Sequence, residues 1–358
     1  MVVEAAAPAE RAGALETLRE QLREVGIPRL VIGVFLLALF GIAVATHMDL
    51  RGLITDSLLR VARNGLLVLA LLPAIQGGLG LNFGLPVGIV CGLVACVITL
   101  NAGMAGWPAL GLTALIGAAL AVPAGIGYGW LLNRTRGQEM MVGTYLGFAV
   151  VSGMSIFWTM APFHNSLLVW AIGGRGLRTT LTLAGFYDRL LDKLWSFPIA
   201  GVSIPTGTLL VFAAACALVG LFFRTRAGLT IAAARSNPRF ARAAGISDER
   251  TRVQATVFST VLAAVGIVVF CQSYGFVQLY TAPLLMAFPA VACLLIGGGT
   301  VSRATLTHVV VGTLLFQSIL TVALPVTSQV IQGDITETAR LIIQNGMILY
   351  ALTRRGER

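Results

Sequence analysis

Residues 73–88, "PAIQGGLGLNFGLPVG", interrupt a long apolar run with two prolines, glycines at 77, 78, 80, 84 and 88, and the carboxamides Gln76 and Asn82. Proline removes a backbone N–H, and each glycine weakens a helix by about 1 kcal/mol. Inside a bilayer, irregular backbone survives only where protein buries it or a water-filled cavity lies beside it. The stretch therefore reads as the break of a discontinuous membrane helix. A counterpart, "FPAVACLLIGGGTVSR" (288–303), ends a short span in three consecutive glycines. Such a pair, one in each half of a chain, points to a transport site. The bland alternative is close helix packing at glycine. The two readings stand level for 288–303, but packing does not require amides, so Gln76 and Asn82 turn 73–88 towards a pathway.

The rest of the chain agrees with a membrane setting. Its 358 residues are 57% hydrophobic and 11% charged, where soluble domains carry roughly 25% charge, and the mean hydropathy is +0.87. Apolar stretches near the roughly 20 residues that a membrane helix needs fall at 30–47, 65–81, 86–104, 108–132, 140–160, 207–223, 253–272, 284–298, 305–325 and 338–353. Strand-like alternation is absent, which argues against a β-barrel. The expectation is an all-α, polytopic protein with about ten transmembrane helices.

Ten spans put both termini on one side. If that side is cytoplasmic, it holds Arg11, Arg19, Arg23, Arg29, Arg134, Arg136, the seven arginines from Arg224 to Arg252, Arg303, Arg354, Arg355 and Arg358, which is seventeen of 25 basic residues. The bias supports N-in and C-in. The net charge of +10 thus reports orientation, and no nucleic acid partner is expected. Leu15, Leu18, Leu22 and Val25 make one helical stripe, so residues 1–28 read as an interfacial amphipathic helix on membrane lipid, ahead of an uncleaved transmembrane domain, 29–358.

Segment 161–206 is a long outer loop. Within it "FYDRLLDKLW" places Phe186, Leu190 and Leu194 at helical spacing, the pattern of an amphipathic surface helix. Lys193 is the only lysine and follows Asp192, so the chain lacks the Gly-Lys-Ser/Thr of a phosphate-binding loop. His47, His164 and His308 are scattered, and the five cysteines lie in apolar stretches without CxxC spacing, so no metal site and no catalytic group is expected. No Asp, Glu or Lys lies well inside an expected span, Glu139 coming nearest. That argues against an ion-coupled secondary carrier and against a membrane enzyme working on lipid.

Residues 224–246, "RTRAGLTIAAARSNPRFARAAGI", carry five arginines in a chain of which most is apolar. Ser236 or Asn237 can cap a helix, Pro238 suits its first position, and Gly245 suits the left-handed residue past its end. The product is a two-turn helix with Phe240 and Ala244 on one side, flanked by Arg239 and Arg242. Two roles fit: lying on lipid headgroups, or inserting into a groove of a cytoplasmic partner. The segment resembles the coupling segment of bacterial ABC importer permeases of the ribose and branched-chain amino acid type, roughly TRxGxxxxAxxxNPxxARxxGI. It matches at Thr225, Arg226, Gly228, Ala233, Asn237, Pro238, Ala241, Arg242, Gly245 and Ile246, and departs at Arg235-Ser236. "GLGLNFG" and "LLIGGGTVSRATLTHVVVGTLLF" extend the likeness over most of the chain.

The resemblance implies a permease subunit of the bacterial inner membrane with no ATPase site of its own, ATP and Mg being bound by partner subunits. It implies that segment 224–252 couples to cytoplasmic ABC ATPases through Arg235, Asn237, Pro238, Arg239, Phe240, Arg242 and Gly245. It further implies a second permease copy or paralogue, and an extracytoplasmic solute-binding protein. "NRTRGQEMMVGTYLGF" (133–148) is similar to a region of permeases paired with nucleoside-binding lipoproteins. Candidate pathway residues are Gln76, Asn82, Phe83, Thr144, Tyr145 and Phe288. Their amides, hydroxyls and aromatic faces suit a neutral, hydroxyl-rich solute, nucleoside before simple sugar. The alternatives are an ion-coupled carrier and an ABC permease for branched-chain amino acids.

Overall fold

The computed structural model describes residues 27–160, 163, 165, 167–169, 176–199, 201–330, 341, 342, 345 and 346. The expected N-terminal amphipathic helix lies outside these residues, as does most of the expected span 338–353. Among the described residues, six helices are long and apolar enough to cross a membrane, and three more are apolar but shorter.

The chain begins with α1 (Ile27–Ala45), α2 (Leu50–Leu69) and α3 (Leu71–Gln76). The run Leu50–Gln76 forms one candidate span, its helical bonding interrupted at Ala70. The interruption follows from Pro73, which has no N–H for the Leu69 carbonyl. This span starts well before the expected 65–81, so Arg60 and Arg63 lie within a helix and not in a loop. The reason is visible in the burial of Leu53, Ser57, Val61 and Gly65, one face at four-residue spacing. Four charged residues on the same helix had diluted its hydropathy.

After the break come α4 (Leu85–Asn101), α5 (Gly106–Arg134) and α6 (Glu139–Met160). The following segment contains β1 (Thr180–Thr182), the one-turn α7 (Leu190–Lys193), β2 (Phe197–Ile199) and β3 (Val202–Ile204). Then follow α8 (Thr206–Arg224), α9 (Arg226–Ser236), α10 (Pro238–Ala243), α11 (Asp248–Tyr274), β4 (Phe276–Gln278), α12 (Ala282–Ile296) and α13 (Leu306–Val330).

The strands qualify the all-α expectation. β1 pairs antiparallel with β4, Leu181 opposite Val277, and β2 with β3 forms a hairpin. The surface helix expected over "FYDRLLDKLW" is reduced to α7, because Arg189 and Trp195 both take left-handed φ and break it on either side. Tyr187 and Leu191 turn inwards there: the Tyr187 hydroxyl lies 3.4 Å from Thr99 Oγ1 on α4, while Gln272 on α11 accepts the Arg189 N–H at its carbonyl (2.8 Å) and the Leu191 N–H at Oε1 (3.2 Å).

At the centre α11 packs on α5, α4, α2 and α3, while α13 packs on α2, α12 and α1. Glycine sets the closeness of these contacts. A β-carbon at Gly88 would overlap the Thr260 carbonyl, and one at Gly125 would press on the Val257 backbone. Gly297 and Gly312 let α12 and α13 approach backbone to backbone in the same way. The triple glycine is thus at least a packing device, with Gly298 (φ +93°) turning the chain. By contrast α6 and α8 leave most of their surface outside the protein, as membrane-facing helices do.

Candidate functional site

The break between α3 and α4 is held by side chains. Buried Asn82 accepts at Oδ1 from the Gly84 N–H (3.0 Å) and from Tyr128 Oη (2.8 Å), and donates from Nδ2 to Ser259 Oγ (2.9 Å). Ser259 passes its own hydrogen to the Ala70 carbonyl, where α2 meets α3 (2.6 Å). One amide therefore ties the break to α2, α5 and α11. Its hydrogen-bonding groups are turned to protein, which is how a non-helical stretch persists at this depth.

Of the other candidate pathway residues, Phe83 and Phe288 are brought together, their ring centroids 5.7 Å apart. Thr144 returns its hydroxyl to the Met140 carbonyl (2.8 Å), and Tyr145 is 68% exposed on the outer face of α6. Gln76 lies elsewhere. It donates to the Ala304 carbonyl (2.6 Å) and accepts from Arg235 Nη1 (3.4 Å), so it joins the broken helix to the arginine-rich arm.

That arm is built from its own caps. Thr225 starts α9, its hydroxyl accepting from the Gly228 N–H (3.4 Å). Asn237, and not Ser236, starts α10, its Oδ1 accepting from the Phe240 N–H (3.1 Å). Pro238 stands in the first turn of α10, and Gly245 (φ +78°) ends the motif, the Ile246 N–H donating to the Ala241 carbonyl (2.9 Å). Ala241 on α10 is buried, whereas Phe240 is 66% exposed and Arg239 is exposed beside it. Burial and the neighbouring charge of Arg303 pull Arg235 below its ordinary pKa.

A cavity of about 810 Å³ opens between arm and break, lined by Gly77 to Gly80, Arg136, Glu139, Arg235, Arg242, Asp248 and Arg252. Arg252 is buried there, its Nη2 2.6 Å from Glu139 Oε1 and its Nε donating to Asn133 Oδ1 (2.9 Å). Arg136 pairs with Asp248 (2.8 Å). The ends of α5, α6 and α11 are thereby cross-linked by charge. Sequence reading found Glu139 but not Arg252, nor Tyr128 and Ser259 at the break. Each partner is more than 40 residues away along the chain, and no local spacing connects them.

Residues 53–352 match the family model described as "Branched-chain amino acid transport system / permease component". Over 275 residues the chain is 28% identical to the "Autoinducer 2 import system permease protein LsrC" of Enterobacter sp. (strain 638), an alignment covering 74% of this chain and 71% of that protein. No solved structure matches the chain significantly. The match takes in α3 to α13, the break and the arm, and leaves α1 outside. This is a multi-pass protein of the bacterial inner membrane, and it belongs to the branched-chain amino acid transport system permease component family of ABC importers.

Proposed function

We propose that the chain forms the translocation path of an ATP-driven importer for a small, uncharged, hydroxyl-rich solute, a nucleoside or a simple sugar. α9 and α10 are its power input. The chain crosses the membrane ten times with both termini and the arm in the cytoplasm, pairs with a second permease copy or paralogue, and receives solute from a binding protein outside. ATP and Mg are bound by separate ATPase subunits beneath α10.

The observation that carries this reading is the contact from Arg235 through Gln76 to Ala304. A push on the arm reaches the ends of both broken segments through one side chain. Exposed Phe240, with Arg239 beside it, suits a groove on a protein partner. The pathway surface at Phe83 and Phe288 is aromatic, which favours a sugar face or a base over a charged solute.

The test uses the full complex in proteoliposomes with labelled ribose, uridine and leucine. Arg239→Glu with Arg242→Glu leaves membrane insertion intact and abolishes solute-stimulated ATP hydrolysis, since breaking a close charged contact costs about 2–5 kcal/mol. Wild-type hydrolysis and uptake by the double variant would reduce the arm to a headgroup anchor. Uptake without ATP would favour the secondary carrier, and selective leucine uptake would move the solute to the branched-chain amino acids.

A further inference from the structure

Three arginines from separate parts of the chain meet at the loop that follows α12. Gly298 carries the first contact: a β-carbon there would fall on the guanidinium of Arg29, which stands at the head of α1. Arg303 belongs to the loop itself, in a turn where the Thr300 hydroxyl accepts from the Arg303 N–H (2.7 Å). The third is Arg235, near the end of α9. Gln76 accepts from its Nη1 (3.4 Å) and donates to the carbonyl of Ala304, the residue after Arg303 (2.6 Å). Arg235 and Ser302 also line the same cavity.

Like charges gathered in this way repel. Burial and the charge of Arg303 together pull Arg235 below its ordinary pKa. The carboxylates at this end of the molecule are engaged elsewhere: Asp248 and Glu249 with Arg136, and Glu139 with Arg252. Among the described residues, no ion pair reaches Arg29, Arg235 or Arg303. Guanidinium groups clustered without a carboxylate suit a phosphate, whose oxygens accept their forked N–H pairs.

The surface below Arg29 decides which phosphate. There α1 continues with Leu30, Val34 and Leu37, which share one helical face and are 41%, 58% and 72% exposed. Gly41 extends that face, and a β-carbon on it would meet nothing within 4 Å. A basic cluster at the head of an apolar stripe has the polarity profile of a phospholipid, charge above and hydrocarbon beneath. Basic pockets between membrane helices bind anionic headgroups in this way. Arg29 and the stripe lie outside residues 53–352, the part that matches the family model.

We propose that Arg29, Arg235 and Arg303 bind the phosphodiester of an anionic phospholipid whose acyl chain lies along Leu30, Val34 and Leu37. The bound phosphate screens the three guanidinium groups from one another and fastens the end of α9 to the loop after α12. The site is independent of which solute the chain moves.

The experiment uses the assembled complex, permease with its ATPases, in phosphatidylcholine vesicles carrying spin-labelled phosphatidylglycerol or spin-labelled phosphatidylcholine. The unsubstituted complex immobilises the phosphatidylglycerol in preference. Arg29→Gln and Arg303→Gln each lower that preference about fivefold, the value of one basic residue at a charged lipid surface. Leu37→Gln lowers it with every arginine in place. Arg134→Gln removes a guanidinium that sits 3.7 Å over the Trp130 ring and leaves the preference near that of the unsubstituted chain. An unsubstituted complex without preference would overturn the site, whether or not any variant folds. An equal loss in Arg134→Gln would replace the site by a diffuse field and overturn it too. Displacement of the label by inorganic phosphate, with Leu37→Gln behaving like the unsubstituted chain, would make the ligand a free phosphate and overturn the lipid. None of these readouts requires transport, so their failure is distinct from a failure of the proposed function.

Discussion

At the scale of single residues, the clearest contrast is between amides of the same chemistry. Asn82 sits in a break that its sequence context marks out, yet its partners Tyr128 and Ser259 come from other helices. Polarity in an apolar run is readable along the chain; which atoms satisfy it is not. The same holds for Glu139, which was visible at the start of a span, while its partner Arg252 was one arginine among many. The pair is nearly buried, with side-chain exposures of 15% and 10%, so Glu139→Ala leaves a guanidinium without its counter-charge. We expect a loss of about 1–3 kcal/mol, measured as a lower melting temperature of the purified protein. Arg252→Met on that background restores part of the loss, because the two residues act as one unit. Additive losses in the double variant would show that the pair is not coupled.

At the scale of elements, glycine has two opposite meanings that only packing separates. Gly88 on α4 faces the Thr260 carbonyl and the Ala263 side chain on α11, whereas Gly127 on α5 has open space around it. Gly88→Val therefore forces α4 and α11 apart and destabilises by about 1–3 kcal/mol or more. Gly127→Ala gains about 0.5–1 kcal/mol from lower backbone entropy in the unfolded chain. Thermal melting of both variants checks the pair of signs, and a stable Gly88→Val would refute the close contact. Caps are the converse case. Asn237 and Gly245 act on bonds within a few residues, so α10 was legible before any tertiary contact was known. The α7 region was not, since Tyr187 and Leu191 follow the pull of the protein interior and override the helical spacing of Phe186, Leu190 and Leu194.

At the scale of the whole molecule, the proposed orientation rests on where arginine collects. An arm in the cytoplasm, as proposed, predicts that Thr182→Cys reacts with a membrane-impermeant maleimide in intact cells and that Ser236→Cys reacts only after permeabilisation, each read against the unsubstituted chain. The reverse pattern would invert the topology. Membrane residence, the helical class, the broken segment at 73–88 and the capped arm were determined by the sequence alone. Each depends on hydropathy or on bonds between near neighbours, which spacing along a chain encodes. The paired strands, the ion pairs at the arm end and the partners of Asn82 were decided only by tertiary structure. They join residues far apart in sequence, and which atoms satisfy a buried polar group depends on which helices close packing brings together.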